Sequence, residues 1–265
     1  MKMIKVFHII SITVLMVSAC SNENLNPDFD DKPVVESYLH AGQSVEINIS
    51  RQFPYSANAA YSSDKLDSLD VKLVDGDLYY DLLPIGNGKY THPDINVDEW
   101  DIFELEFYYN NLLVSAQTSI PEKPENFQSS ASNVFVSDDI FTLNSPDELV
   151  FSWDNPDGSY YYLLIENTES NPAPIYDNEN TSTINQLFKP LPSQLDNYSM
   201  KTRRFTHYGN HRVILFHINP DLATLYEEGD NTSQNISNPP SEISNAFGVF
   251  SGINADTLYL NVLPN

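Results

Sequence analysis

The sequence predicts an all-β protein made of two tandem β-sandwich domains, with one short helix in the second. Three observations carry that prediction. Apolar and polar residues alternate with period two along most of the chain, the signature of strands with one buried face. The alternating runs are short and separated by turn clusters rich in Asn, Asp and Pro. Only one segment, near residue 220, carries helical start and stop signals.

The first block runs from 32 to 122. Val45, Ile47 and Ile49 alternate with Glu46, Asn48 and Ser50, and Leu69, Val71 and Leu73 repeat the pattern. Asp75-Gly76 supplies a tight hairpin turn into Leu78-Tyr79-Tyr80. Phe103, Leu105, Phe107 and Tyr109 line a further strand; Asn110-Asn111 turns it, and Leu112 to Ile120 returns. Only 9 glycines serve the chain, so its turns draw on asparagine, which tolerates the left-handed conformation. Pro121-Glu122-Lys123-Pro124-Glu125 then forms a stiff, extended connection between the blocks, because two prolines in five residues forbid a helix.

The second block runs from 126 to 265. Leu149 to Trp153 and Tyr160 to Ile165 read as strands around the turn Asp154-Asn155-Pro156-Asp157-Gly158. Arg212 to Ile218 reads as a central strand. Asn219 caps the helix, Pro220 suits its first position, Leu222, Leu225 and Tyr226 form its apolar face, and Gly229 ends it. Leu258 to Val262 reads as an edge or closing strand. The Trp-ended strand followed by a Tyr-rich partner resembles the immunoglobulin and fibronectin type III sandwich, in which such a Trp packs between the sheets.

The N-terminal segment supplies an address. Lys2 and Lys5 precede an apolar stretch from Val6 to Met16, too short for a hydrocarbon core that needs roughly 20 apolar residues. Val17-Ser18-Ala19-Cys20 resembles the bacterial lipobox, in which small residues admit the peptidase and the thiol accepts the lipid. Cys20 is the only cysteine of the chain. The expectation is therefore a lipoprotein signal peptide over 1–19 and a lipidated, polar tether over 20–31. Three acyl chains on Cys20 exceed the two that suffice for stable anchoring. Ser21 after the cysteine points to the outer membrane, on either its periplasmic or its cell-surface side. Without Lys2 and Lys5, 37 acidic residues face 11 basic ones, a charge of −26 that excludes nucleic acid as a partner.

The ordered pieces are similar to the Bacteroidota lipoproteins of domain-of-unknown-function family 4249. They are Lys32 to Leu39 with Ala41-Gly42, Val71 to Gly76, Gly88-Lys89-Tyr90, Ala116 to Pro121 and Ser244 to Gly252. Ser37 stands where the family usually has Gly, and Asn245-Ala246-Phe247 replaces a richer glycine stretch. The resemblance implies an outer-membrane lipoprotein that accompanies TonB-dependent transporters, with no catalytic residue established.

Candidate chemistry is sparse. No GxSxG or HExxH occurs, and the sole thiol is the acylation position. His207 and His211 flank a short turn, but zinc needs three or four converging ligands, so exposed strand histidines are the simpler reading. Calcium needs six to eight oxygens, and the acidic loop holding Asp94, Asp98 and Asp101 is the first candidate. Tyrosines in adjacent pairs point to opposite faces, so Tyr79, Tyr109 and Tyr161 are candidate sugar-stacking rings. No cofactor is implied. The leading expectation is a non-catalytic accessory or binding partner of a TonB-dependent transporter, anchored through Cys20. The alternative is a surface carbohydrate-binding module that takes a glycan.

Overall fold

A computed structural model of the chain describes residues 31–52, 66–137, 148–176, 187–228 and 242–265. The signal segment, Cys20, the tether up to residue 30 and Gly229 lie outside the described residues. The first block forms β1 (Pro33–His40), β2 (Ser44–Arg51), β3 (Lys72–Asp75), β4 (Leu78–Asp81), β5 (Leu83–Gly86), β6 (Lys89–Asn96), β7 (Ile102–Tyr109) and β8 (Leu112–Ser119). The second forms β9 (Gln128–Ser129), β10 (Asn133–Val136), β11 (Glu148–Ser152), β12 (Tyr160–Asn167), β13 (Leu187–Phe188), β14 (Asn197–Lys201) and β15 (Gly209–Ile218). Helix α1 (Pro220–Glu228) and β16 (Phe247–Pro264) follow.

The hairpins form where the turn residues place them. Asp75 pairs with Leu78 across Gly76, and Tyr109 pairs with Leu112 across Asn110 and Asn111, both at positive φ. Asn87, Asn126 and Asn245 also adopt positive φ, so asparagine takes the role expected of it. Asn219 does more than start the helix. Its backbone carbonyl accepts from Ala223, while its side-chain amide donates to Thr118 Oγ1 (3.0 Å) and Ser119 O (2.8 Å), fastening α1 to the end of β8.

The strands make three sheets. A nine-stranded sheet has the order β13-β12-β15-β16-β1-β2-β6-β5, with β10 also on β16. A four-stranded sheet, β4-β3-β7-β8, and a three-stranded sheet, β14-β11-β9, complete the set. Residues paired directly across strands share a face. The register Ser37↔Phe250, His217↔Asn254, Leu215↔Asp256 and Leu163↔Leu215 therefore places one continuous face along the large sheet.

Both smaller sheets pack on that face. At one end Val35, Leu39, Ile47, Ile49 and Tyr90 meet Leu73, Phe103, Leu105, Phe107 and Val114 of the four-stranded sheet. At the other, Leu163, Ile165, Val213, Leu215, Leu260 and Val262 meet Leu149 and Phe151 of the three-stranded sheet. Each such side chain contributes about 1.5–3 kcal/mol when fully buried. Helix α1 covers the opposite face through Leu222 and Ala223, which meet Tyr162, Ile218 and Val249.

The architecture is thus an all-β sandwich protein in which two sandwiches share one backing sheet. Strand β16 is what joins them, and here the structure corrects the expectation of an edge or closing strand. One side of β16 pairs with β15; the other pairs with β1, in parallel, and further along with β10. Its Phe250 belongs to the first core and its Leu260 and Val262 to the second. Clean alternation fades in this strand because both of its faces are covered over part of its length. The expected border at 122–126 lies between the two cores, yet residues 32–265 form one unit by contact, and Ile243, Ala246 and Phe250 complete the first core.

Candidate functional site at the junction of the sandwiches

The linker Pro121–Glu125 does not hang free. It lies on the backing sheet between the two smaller sheets, held by side chains from the shared face. Asn254 Nδ2 donates to Pro121 O (3.0 Å), and Lys123 Nζ pairs with Asp256 Oδ1 (2.9 Å). His217 Nδ1 lies 2.9 Å from Glu122 O; a carbonyl only accepts, so Nδ1 carries the proton. Prolines 121 and 124 are buried, which seats the linker and turns its acidic side chains outward.

Beside it opens a recess of about 360 Å³. Glu122 and Glu125 come from the linker, Trp153 and Asp154 from the end of β11, Tyr161 from β12 and Asp196 from the turn before β14. Backbone bonds fix these segments: Asp154 N donates to Glu125 O (3.0 Å), Trp153 N to Asp196 O (3.0 Å) and Tyr161 N to Ser193 O (2.8 Å). The Asn155 side chain closes the turn by accepting from Ser159 N (2.8 Å) and donating to Gln194 O (2.8 Å). Tyr161 stacks on His217, with ring centroids 4.8 Å apart, and tilts against Trp153 at 5.6 Å.

The electrostatics are one-sided. Four carboxylates line the recess, and its one lysine, Lys123, is engaged by Asp256. Burial first, and then the charges of Glu122, Asp154, Asp157 and Glu125, push the Tyr161 phenol up to about 12. The Trp153 ring is nine-tenths buried, yet its Nε1 is the one enclosed side-chain polar atom among the described residues without a hydrogen-bond partner. An indole N–H only donates, and leaving it unmet costs about 1–3 kcal/mol.

The sequence candidates fall unevenly. Of the three tyrosines, Tyr79 alone exposes its ring. Tyr109 is a core residue because it stays in phase with Phe103, Leu105 and Phe107, and Tyr161 is buried in phase with Leu163 and Ile165. Tyr161 still reaches the recess, as part of its wall. Asp94, Asp98 and Asp101 do not converge. Asp94 lies in strand β6, and the Asp101 carboxylate turns back to accept from Asp98 N (2.8 Å). Among the described residues no group of three His, Cys, Asp or Glu is placed to hold a metal ion. That acidic loop instead displays Trp100, two-thirds exposed at φ 73°, with its backbone N–H donating to Ile120 O (2.9 Å). Nothing in the period-two pattern marks Trp100.

The histidines are also corrected. His207, His211 and His217 are buried, not exposed, because they share parity with core residues or fold onto them. His211 Nδ1 lies 3.0 Å from Gly209 O, and its ring meets Phe205 edge-on at 5.0 Å. Burial holds all three imidazoles below the ordinary value of 6.5. The unfolded chain therefore binds more protons between the folded values and 6.5, so stability rises with pH across that window. Melting temperature is expected to fall as pH drops from about 7.5 to about 5, and His211→Gln should flatten the slope. A flat profile in the wild-type protein would refute this.

Comparison with curated proteins finds no match. The model of the family described as "Domain of unknown function (DUF4249)" matches residues 22–258, nearly the whole chain, and the protein belongs to that family.

Proposed function

We propose that the protein is a non-catalytic binding protein, anchored in the outer membrane through acylated Cys20 and acting beside a TonB-dependent transporter. The observation that carries this reading is the lipobox Val17-Ser18-Ala19-Cys20, with the only thiol of the chain at the acylated position. The folded body supports it. Lys32 leads directly into β1, an interior strand, so the tether 20–31 holds the body within about 40 Å of the bilayer. That confinement raises the effective concentration of the body near a membrane partner. The buried His211 and His217 are engaged in packing, each through a ring contact and a backbone carbonyl.

Cys20→Ser is the direct test. The wild-type chain is expected in the membrane fraction and the variant in the soluble fraction, with loss of acylation by mass. Co-purification in mild detergent should retrieve a transporter barrel; recovery of the anchored protein alone would remove the partner from this reading. The carbohydrate-binding alternative is favoured by one observation, the recess that joins aromatic walls of Trp153 and Tyr161 to a set of carboxylates.

A further inference from the structure

The chain enters its folded body at one end of the first sandwich, and that end carries an apolar tip. Lys32 precedes β1, and its Nζ lies 5.5 Å from the centre of the Phe247 ring. Phe247 opens β16 opposite Val34, and two residues earlier Asn245 Nδ2 donates to Leu113 O (2.8 Å). Beside it Ser244 N donates to Ser115 O (2.8 Å). These bonds bring the tip of the β7–β8 hairpin to the place where the tether joins. The tip is open to solvent: Tyr108 is 66% exposed, Leu112 51% and Leu113 38%. Tyr108 pairs with Leu113 on the outer face of the four-stranded sheet, because Phe107 and Val114 take the inner one. Asn110 and Asn111 hold the turn between them at positive φ.

Charge is distributed along the same axis. Phe107 to Pro121 is a run of 15 residues without a charged side chain, in a chain with 37 acidic residues. The neighbouring acids are engaged. Lys72 bridges Asp70 (3.6 Å) and Asp81 (3.8 Å) and stands opposite Glu106, and Asp67 accepts from Gly88 N (2.6 Å). The other end of β1 is the acidic one. There Gly42 N donates to Val97 O (2.7 Å), and Asp94, Asp98, Glu99 and Asp101 surround that contact in sequence. Strand β16 runs parallel to β1, from the tip end past the acidic end and on into the second sandwich. Its 18 residues span at most about 60 Å.

We propose that the hairpin tip Tyr108–Leu113 is a membrane-contact surface. It seats in the headgroup layer of the bilayer that holds the tether, and the body stands on it with the second sandwich pointing away. The inference rests on reading the chain as anchored through Cys20. Three arguments choose a lipid surface over a protein partner. The tether 20–31 reaches about 40 Å at most and joins the body beside the tip, so the tip is among the first surfaces to meet the bilayer. A tyrosine and two leucines at an uncharged turn match the interface, where a ring with a polar edge and aliphatic side chains sit at the boundary of water and hydrocarbon. The reverse orientation would instead press four carboxylates against a surface of low dielectric constant. Three partly exposed side chains cannot hold the body unaided; the tip acts as a second signal beside the lipid anchor.

The test couples one myristoyl chain through a maleimide to Cys20, the sole thiol of the mature chain, and measures partition into phosphatidylcholine vesicles. A single acyl chain binds only marginally, so a second contact shows in the partition coefficient. The double variant Leu112→Glu with Leu113→Glu is expected to partition about tenfold less than the wild type. Its melting temperature in solution should stay close to the wild-type value, because both side chains are exposed. Hydrogen exchange of the coupled wild-type chain supplies the position without any substitution. Amides of 108–113 should exchange several-fold more slowly on vesicles than in solution, while those of 94–101 keep their rate. Equal partition of the two chains, unchanged exchange at 108–113, or protection confined to 94–101 would overturn the proposal. The synthetic anchor makes no use of cellular acylation. A native Cys20 that carries no lipid by mass would remove the anchoring reading and leave the contact of the tip measurable. A vesicle-bound chain with an unprotected tip would remove this proposal alone.

Discussion

Gly248→Ala is expected to cost about 2–5 kcal/mol and to leave little folded protein at 37 °C. Gly248 sits at the start of the parallel pairing of β1 with β16, opposite Val35, at φ 105°. An L side chain there meets a conformational penalty of about 1–2 kcal/mol. It also meets solid backbone. A Cβ would collide with Val35 O and come within 2.9 Å of its carbonyl carbon and 3.1 Å of its nitrogen. Backbone in a sheet interior cannot swing aside as a flexible side chain does, so relief requires β1 and β16 to separate. Gly76→Ala is the control. Gly76 also has positive φ (57°), but nothing lies within 4 Å of its added Cβ, so only the conformational penalty applies. Chemical denaturation of the two variants should therefore differ by several-fold in free energy. Equal losses would show that the close approach of β1 to β16 is absent.

The second large effect is that residues 32–122, expressed alone, will not fold. They contain eight strands and most of a core, enough on strand count to look independent. Their core, however, is completed by Ile243, Ala246 and Phe250, and β1 loses its β16 partner along seven residues, from Val34 to His40. The exposed edge would then offer unpaired backbone groups to other chains. The excised piece is expected to aggregate or to show poor amide dispersion, whereas the body as a whole melts in one cooperative transition. A well-dispersed spectrum from 32–122 would contradict the shared-sheet description.

Local patterns were legible in the sequence where local physics decides them. The hairpin Phe103 to Ile120 is an example: alternation set the faces, and Asn110-Asn111 set the turn, without reference to the rest of the chain. The same rule, followed further, would have buried Tyr109, since a strand does not change parity without a bulge. Strand β16 was read less well because its place depends on β1, more than two hundred residues away, and on β15. Its residues carry no local mark of which edge they fill. Polar residues gave the weakest guide. His211 and His217 share parity with Val213 and Leu215, but an imidazole is as common outside as inside, so burial was decided by Phe205, Tyr161 and the linker. The recess could not be read at all. It is assembled from the linker, the end of β11, Tyr161 and the turn at Asp196, segments that meet only after the sheets have stacked.

Because the strand that both cores need comes after every other described strand, a chain emerging residue by residue can finish neither half early. Its sheet edges stay unpaired until that late pairing forms, a search over the longest loop the topology allows. Slow folding, and exposure to aggregation before the last strand arrives, follow from that order of synthesis.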